Sequence, residues 1–455
     1  METDLTQGSV VRNLLRFSVP YLIACFLQTF YGMADLFIAG QFNGADVITA
    51  VSVGSQVMHM LTVIIAGLAM GATVTISRAV GAKNKKDISS AVGNTVIIFL
   101  IFAGFLTAVL LANTGRIIRL LSVPEVSAVH AESYLLVCFA GIPFITAYNV
   151  IAAVFRGMGD SRSPMYFVAA AGIINIGLDY YLIGPMRMGA AGAAVATVSS
   201  QAFSVLLSLV VLKKMDYAIS FGRENIRPDK QTAGKILRVG TPICAQDGFI
   251  QVSFMVITVI ANRRGVEVAA AVGIVEKVIS FLFLVPSSML SSISAIAAQN
   301  AGAGQHQRGK KTLFYGMGIS VLMGSVFFIV CQFAAEQILM IFDKSDPGVI
   351  RLGAQYLRTY SFDCVVAGVH FCFSGYFSAY QKSFISFLHN VASALLFRIP
   401  GAYLASLWFP ATLYAMGAAA PIGSAFSALI CVLYYTVIMR KHIQDERLEK
   451  CYDHD

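Results

Sequence analysis

The chain has 455 residues, of which 57% are hydrophobic and only 13% charged, whereas soluble domains carry about 25% charged residues. That shortage argues against a soluble enzyme and for an all-α polytopic membrane protein; a β-barrel would show short alternating segments instead. The net charge of +9 could suggest a nucleic-acid partner, but the Lys and Arg residues gather in loops on one membrane face, which accounts for the charge without one.

Apolar runs of about 20 residues or more, each long enough to cross a bilayer, predict twelve transmembrane helices. The N-terminal METDLTQGSVVRN is polar and lacks a signal-peptide core. The first span, 17–40, holds a single charge, Asp35, in FYGMADLFIAGQF. A carboxylate at the centre of a span costs roughly 2.5 to 3.5 kcal/mol, so it calls for a reason. Pro20 in the same span removes a backbone donor and permits a kink, making it a candidate hinge. Spans follow at 47–78, 90–113, 131–155, 163–184 and 189–212. The fifth carries Asn175 and Asp179, four residues apart and therefore on one helix face. At 1.5 Å rise per residue, Asp35 lies about 27 Å beyond Phe17 and Asp179 about 24 Å beyond Ser163. The two carboxyls reach similar depths, and with Asn175 they can hold a proton or a small cation.

After a polar linker, 213–235, the second set of spans falls at 236–261, 266–299, 312–335, 353–380, 383–407 and 414–439. The predicted organisation is a six-helix lobe over 1–212, the cytoplasmic linker 213–235, a second six-helix lobe over 236–440 and a cytoplasmic tail, 441–455. The halves match each other: LLRFSVP (14–20) with ILRVGTP (236–242), AVSVG (50–54) with AVGIV (271–275), and FRGMGDS (155–161) with FSAYQKS (377–383). Six helices per half is an even number, so the two halves enter the membrane from the same side as a parallel repeat. Lys and Arg favour the face of both termini by roughly three to one, which predicts cytoplasmic termini.

The second half is chemically different from the first. Asp247, Glu276 and Asp363 fall roughly 15 Å into their helices, and Arg398 roughly 22 Å. Arg398 and Lys277 are expected to pair with these acids. His59, His370 and His389 lie in apolar runs without metal-ligand spacing and are expected to be packing residues. The scattered cysteines, with no CxxC, are expected to be small buried hydrophobes. GQHQRGKK (304–311) approaches a phosphate-binding loop, but Lys311 stands where Ser or Thr should be and the stretch follows a membrane helix. With no nucleotide site and no catalytic constellation, an ion gradient is the expected source of energy.

SVPYLIACFLQTFYGMADLFIAG, FRGMGDSRSPM, NIGLDYYLIG and AAQNAGAGQHQRGKK together resemble the MATE family of multidrug and toxic-compound extrusion transporters, in particular its DinF-like and related bacterial branches. The resemblance covers nearly the whole chain. It implies twelve helices in two pseudo-symmetric lobes around a central cleft, and export of cationic amphipathic drugs or toxins against protons or sodium, with no other cofactor. It also implies a monomer in the bacterial inner membrane, with lipids as neighbours and no nucleotide or nucleic acid as partner. The family's first-lobe cation site maps onto Asp35, Asn175 and Asp179, and its polar position in the first helix onto Gln28. A second-lobe sodium site in some members has acids on the seventh and tenth helices. Asp363 fits the tenth; the seventh departs, since the expected position falls near Ile250 and Gln251 and the nearest acid is Asp247. Arg398 opposes cation binding there. Arg398 and Lys277 also keep open an alternative, a flippase for lipid or lipid-linked oligosaccharide with an anionic headgroup.

Overall fold

A computed structural model of the chain describes residues 4–121, 123–214, 227–342 and 346–439. Most of the predicted linker, 215–226, and the predicted tail lie outside the described residues. The helices in order are α1 (Val10–Phe42), α2 (Ala45–Gly81), α3 (Lys85–Leu120), α4 (Glu125–Ala140), α5 (Ile142–Gly157), α6 (Arg162–Ile183), α7 (Gly189–Lys214), α8 (Lys230–Asn262), α9 (Val266–Leu282), α10 (Leu284–Gly302), α11 (His306–Met340), α12 (Pro347–Tyr360), α13 (Asp363–Ala379), α14 (Ser383–Ser393), α15 (Ile399–Trp408) and α16 (Tyr414–Tyr434). Among the described residues ten helical segments are long and apolar enough to cross a membrane, or twelve when each of two bent pairs is taken as one span.

The chain forms two compact units, one of residues 1–4 and 19–240, the other of residues 5–18 and 241–455. The divisions fall inside α1 and α8, each two residues before an internal proline, Pro20 and Pro242. In the second unit the N-terminal segment is tied down by side chains of the AAQNAGAGQHQRGKK stretch. Arg308 donates to the Gly8 and Gln7 carbonyls at 2.7 Å each, and the Gln299 side chain accepts from the Leu5 amide.

Inside a bilayer, lipid tails are as apolar as leucine, so helices associate through close packing rather than through water exclusion. Small residues supply it. In the first unit α2 crosses the start of α8 at Gly71 and Gly240; in the second, α13 crosses α10 where Gly375 meets the Leu290 backbone.

The internal repeat recurs in the backbone. The helices α2, α5, α10 and α13 each end with a residue in the left-handed region: Lys83 (φ 55°), Gly159 (φ 89°), Gly304 (φ 72°) and Gln381 (φ 60°). In each case the next residue's amide reaches back to close a wider turn, as Asp160 N does to the Phe155 carbonyl at 2.9 Å and Lys382 N to the Phe377 carbonyl at 2.8 Å. This is the Schellman arrangement, which favours glycine at the left-handed position. The FRGMGDS stretch is thus a helix end followed by a cap, with Asp160 accepting from the Arg162 and Ser163 amides at the start of α6. The matching FSAYQKS stretch of the second half keeps the geometry with Gln381 in place of the glycine. We expect Gln381→Gly to stabilise the protein by about 1 kcal/mol and Gly159→Ala to destabilise it by a similar amount, read as opposite shifts in the thermal unfolding midpoint in detergent.

Several predicted spans are not single straight helices. The span 131–155 bends by 47° between α4 and α5, and 353–380 by 41° between α12 and α13. At the first break Gly141 ends α4 and Pro143 sits in the opening turn of α5. At the second the Ser361 hydroxyl bonds back to the Arg358 carbonyl, and Cys364 N reaches only as far as the Ser361 carbonyl, which tightens the turn. The span 383–407 contains a π-helical turn, Ala394–Arg398. Pro400 offers no amide to the Leu396 carbonyl, and the Ile399 amide bonds to Ala394 instead.

His370 and His389 are buried in the second unit with ring centroids 5.7 Å apart, and His389 Nε2 lies 3.1 Å from the Ser374 hydroxyl. His59, expected as a packing residue, is exposed on α2. The described cysteines are free thiols, five of them buried.

Candidate cation site

Within the first unit, three helices each present a polar pair one turn apart: Tyr31 and Asp35 on α1, Asn175 and Asp179 on α6, Thr197 and Gln201 on α7. Pairs spaced i, i+4 share one helix face, and these faces meet. Asp35 is 4% exposed, and Asn175 and Asp179 are 0% exposed. The Asp35 and Asp179 carboxyls stand side by side, and Asn175 lies beside Asp35. Thr197 Oγ1 donates to Asp35 Oδ2 at 3.4 Å, and Gln201 Nε2 donates to the Tyr31 hydroxyl at 3.3 Å.

The important feature is what this group leaves unmade. Asp35 Oδ1, both oxygens of Asp179, and the side-chain oxygen and nitrogen of Asn175 are buried without a hydrogen bond. An ionised carboxylate is an acceptor only, so two of them side by side cannot bond to each other. An uncompensated buried charge costs several kcal/mol. A shared proton or a bound cation removes both problems. The donor set is made of oxygen atoms, with no thiol or imidazole, and suits a proton or a light, hard cation rather than a transition metal.

Sequence reasoning brought Asp35, Asn175 and Asp179 forward, and all three meet here. Thr197, Tyr31 and Gln201 were missed, although the i, i+4 spacing of Thr197 and Gln201 in ATVSSQ was a readable signal. Gln28 is half-buried on α1, seven residues before Asp35 and so on the same face two turns away. Pro20 is buried at the point where α1 passes between the units.

In the second unit the candidates separate. Thr258 Oγ1 lies 3.3 Å from Glu276 Oε1. The Arg398 guanidinium donates to the Tyr360 hydroxyl and lies 4.5 Å from the Phe254 ring centroid. Asp363 and Glu276 stand within electrostatic range of Arg398. The expected ion pairs are not formed: among the described residues the pairs are His130 with Asp46 and Arg358 with Glu336. Tyr360 takes the guanidinium instead, and Lys277 is exposed. Asp247 has Gln246 as its neighbour, and no hydrogen bond joins Asp247 or the half-buried Gln251 to the Arg398 group among the described residues.

The comparisons agree with this architecture. The MatE family model matches twice, over residues 20–181 and 242–404, one match in each half of the repeat. A probable multidrug resistance protein of Bacillus subtilis, YpnP, is 29% identical over 95% of this chain and 96% of its own length. NorM of Thermotoga maritima, also called a probable multidrug resistance protein, is 28% identical over 75% of this chain and 74% of its own. A FAD transporter of Shewanella oneidensis is 26% identical over 88% of this chain and 89% of its own. Among solved structures, a MATE protein in complex with MaL6 superposes with a TM-score of 0.91 at 21% identity, covering 98% of each chain. With its paired six-span halves and two family matches, the chain belongs to the MatE family of membrane transporters.

Proposed function

We propose that this chain is a secondary active exporter of cationic amphipathic compounds, driven by antiport of protons or sodium through alternating access, and that Asp35, Asn175 and Asp179 hold the coupling ion. The observation that carries the reading is the set of unpartnered carboxyl and carboxamide atoms in the buried interior of the first unit. Such a group is stable with a cation bound and costly without one, which is what exchange against a substrate needs. One charge moving down 100 mV supplies about 2.3 kcal/mol, enough for roughly a 50-fold substrate gradient. Relatives named as multidrug resistance proteins support drug export as the activity. The Lys and Arg asymmetry supports cytoplasmic termini, and the bacterial relatives support placement in a bacterial inner membrane.

A second reading, transport of an anionic compound or lipid headgroup, is favoured by Arg398 in the second unit and by the FAD transporter relative. The test uses everted membrane vesicles with a fluorescent cationic dye and an imposed pH gradient, an imposed sodium gradient, or neither. Dye accumulation driven by one gradient alone is expected, and that gradient names the ion. Accumulation independent of both contradicts ion-coupled export.

A further inference from the structure

The Asp35 and Asp179 carboxyls are buried, so an ion exchanged there has to pass other side chains on its way from water. In the first unit α2 and α4 carry a polar series that leads from exposed residues to the level of Asp35. His130 and Tyr134 are four residues apart on α4 and share one face. That face lies on α2, where each finds a partner. His130 Nε2 stands 3.4 Å from Asp46 Oδ2, and the Tyr134 hydroxyl stands 3.1 Å from the Ser55 hydroxyl. Gly54 makes room for the second contact, since a Cβ there would overlap the Tyr134 ring.

The two pairs differ in exposure and in depth. The His130 and Asp46 side chains are 41% and 36% exposed, whereas Tyr134 is 2% exposed. α1 ends, α2 begins and, after α3 returns, α4 begins at one end of the unit, the outer end on the orientation proposed above. Asp46 is in the first turn of α2. By helix rise His130 lies about 8 Å into α4 and Tyr134 about 13 Å, while Asp35 lies about 10 Å before the end of α1. The hydroxyl pair is therefore close to the level of Asp35, and Asp35 stands within electrostatic range of Tyr134.

Other charges at this end leave the pair to itself. α3, packed on α4, brings Arg116 and Arg119, which bond to Asn113 and to the Gly115 carbonyl of their own helix. α4 itself adds Glu125 and Glu132, and α5 and α7, its other neighbours, carry charges only at their far ends. Histidine is the side chain that exchanges protons with water between about pH 5 and 8, and a carboxylate beside the ring favours its protonated form. Serine and tyrosine hydroxyls both donate and accept, so a bonded pair passes a proton on without staying charged.

We propose that His130 and Asp46 form an outer proton-loading station of the first unit, and that the Tyr134 and Ser55 hydroxyls stand between it and the Asp35 group. This rests on the export reading above with the proton as coupling ion. His130 takes a proton from the outer water. The hydroxyl pair gives one to an Asp35 or Asp179 carboxylate and regains one from the imidazolium. The hydroxyls end neutral and the ring ends unprotonated.

The test is the initial rate of ethidium export from a pump-deficient bacterium carrying the wild type, H130Q or D46N. The media are buffered between about pH 5.5 and 8, without sodium and then with it. Downhill efflux after an uncoupler has collapsed the gradients is the reference for each variant. H130Q lowers the ratio of driven to downhill export about tenfold at the alkaline end, a modest share of what a positioned proton-transfer group contributes. It regains most of that at the acid end, where protons are abundant enough to reach the hydroxyls from the medium. D46N keeps the ring but removes the charge that favours its protonated form, so its profile shifts towards acid pH. An H130Q loss that is the same at every pH makes the pair a structural contact and overturns the proposal. A wild-type profile in H130Q also overturns it. Wild-type export driven by sodium and insensitive to the pH of the medium overturns the loading station and leaves ion-coupled export standing, whereas no driven export in either medium overturns both.

Discussion

Asp35→Asn and Asp179→Asn each lower dye export from a pump-deficient bacterium by about tenfold or more, at unchanged membrane abundance. Asparagine keeps the volume and one acceptor of aspartate but can neither take up a proton nor neutralise a cation. Export should therefore fail at the coupling step rather than in folding. The double variant should be little worse than either single one, because groups that act as one site lose their function together. The effect on stability has the opposite sign. Asp179 is fully buried and neither of its carboxyl oxygens has a partner, so removing its charge relieves a desolvation cost of several kcal/mol when no ion is bound. Asp179→Asn should raise the thermal unfolding midpoint of the purified protein while it lowers export, a trade between stability and activity that marks a functional site. Full export by both variants would remove this group from the mechanism.

Gly71→Val and Gly240→Val should prevent the protein from reaching a folded state. A Cβ on Gly71 would stand 2.1 Å from the Ile236 carbonyl oxygen and 2.8 Å from the Gly240 nitrogen; one on Gly240 would stand 2.4 Å from the Leu68 carbonyl oxygen. These neighbours are backbone atoms of two helices in contact, so no side-chain rotation relieves the clash. Overpacking of a well-filled core costs about 1 to 3 kcal/mol, and separating two helix backbones adds the loss of the packing that holds a membrane bundle together. Size-exclusion profiles of the detergent-extracted protein should show aggregate in place of a single folded peak. Gly177→Ala on α6 is the control, since nothing lies within 4 Å of a Cβ there. It should be neutral or stabilise by up to about 1 kcal/mol. Equal damage from all three changes would contradict the account of the crossing.

The spans were legible because a bilayer imposes a length and an apolar composition that few other structures share. The proposed cation site was legible for the same reason: Asp35 and Asp179 interrupt runs that tolerate no idle charge. What the sequence concealed depends on contacts between distant segments. Arg398 reads as the partner of an acid, yet its π-turn carries it to Tyr360 and Phe254. The break at Gly141 had a signal in Pro143, whereas the bend at Ser361 rests on a hydroxyl bonding back to a carbonyl, a contact that the residue type alone does not announce. Thr197 looked like one more small helix residue until α7 placed it on Asp35. Two of the stretches that carry the family resemblance proved structural. FRGMGDS closes one helix and caps the next, and AAQNAGAGQHQRGKK ties down the N-terminal segment.

The central claim is that Asp35 and Asp179 couple ion movement to substrate movement. Its most direct test is uphill dye transport in proteoliposomes containing either the wild type or the D35N/D179N double variant, under imposed pH and sodium gradients. The account predicts that the wild type drives dye uphill under one of the gradients. The double variant should still equilibrate dye down its own gradient but accumulate none under either ion gradient. Uphill accumulation by the double variant at the wild-type level would contradict the claim.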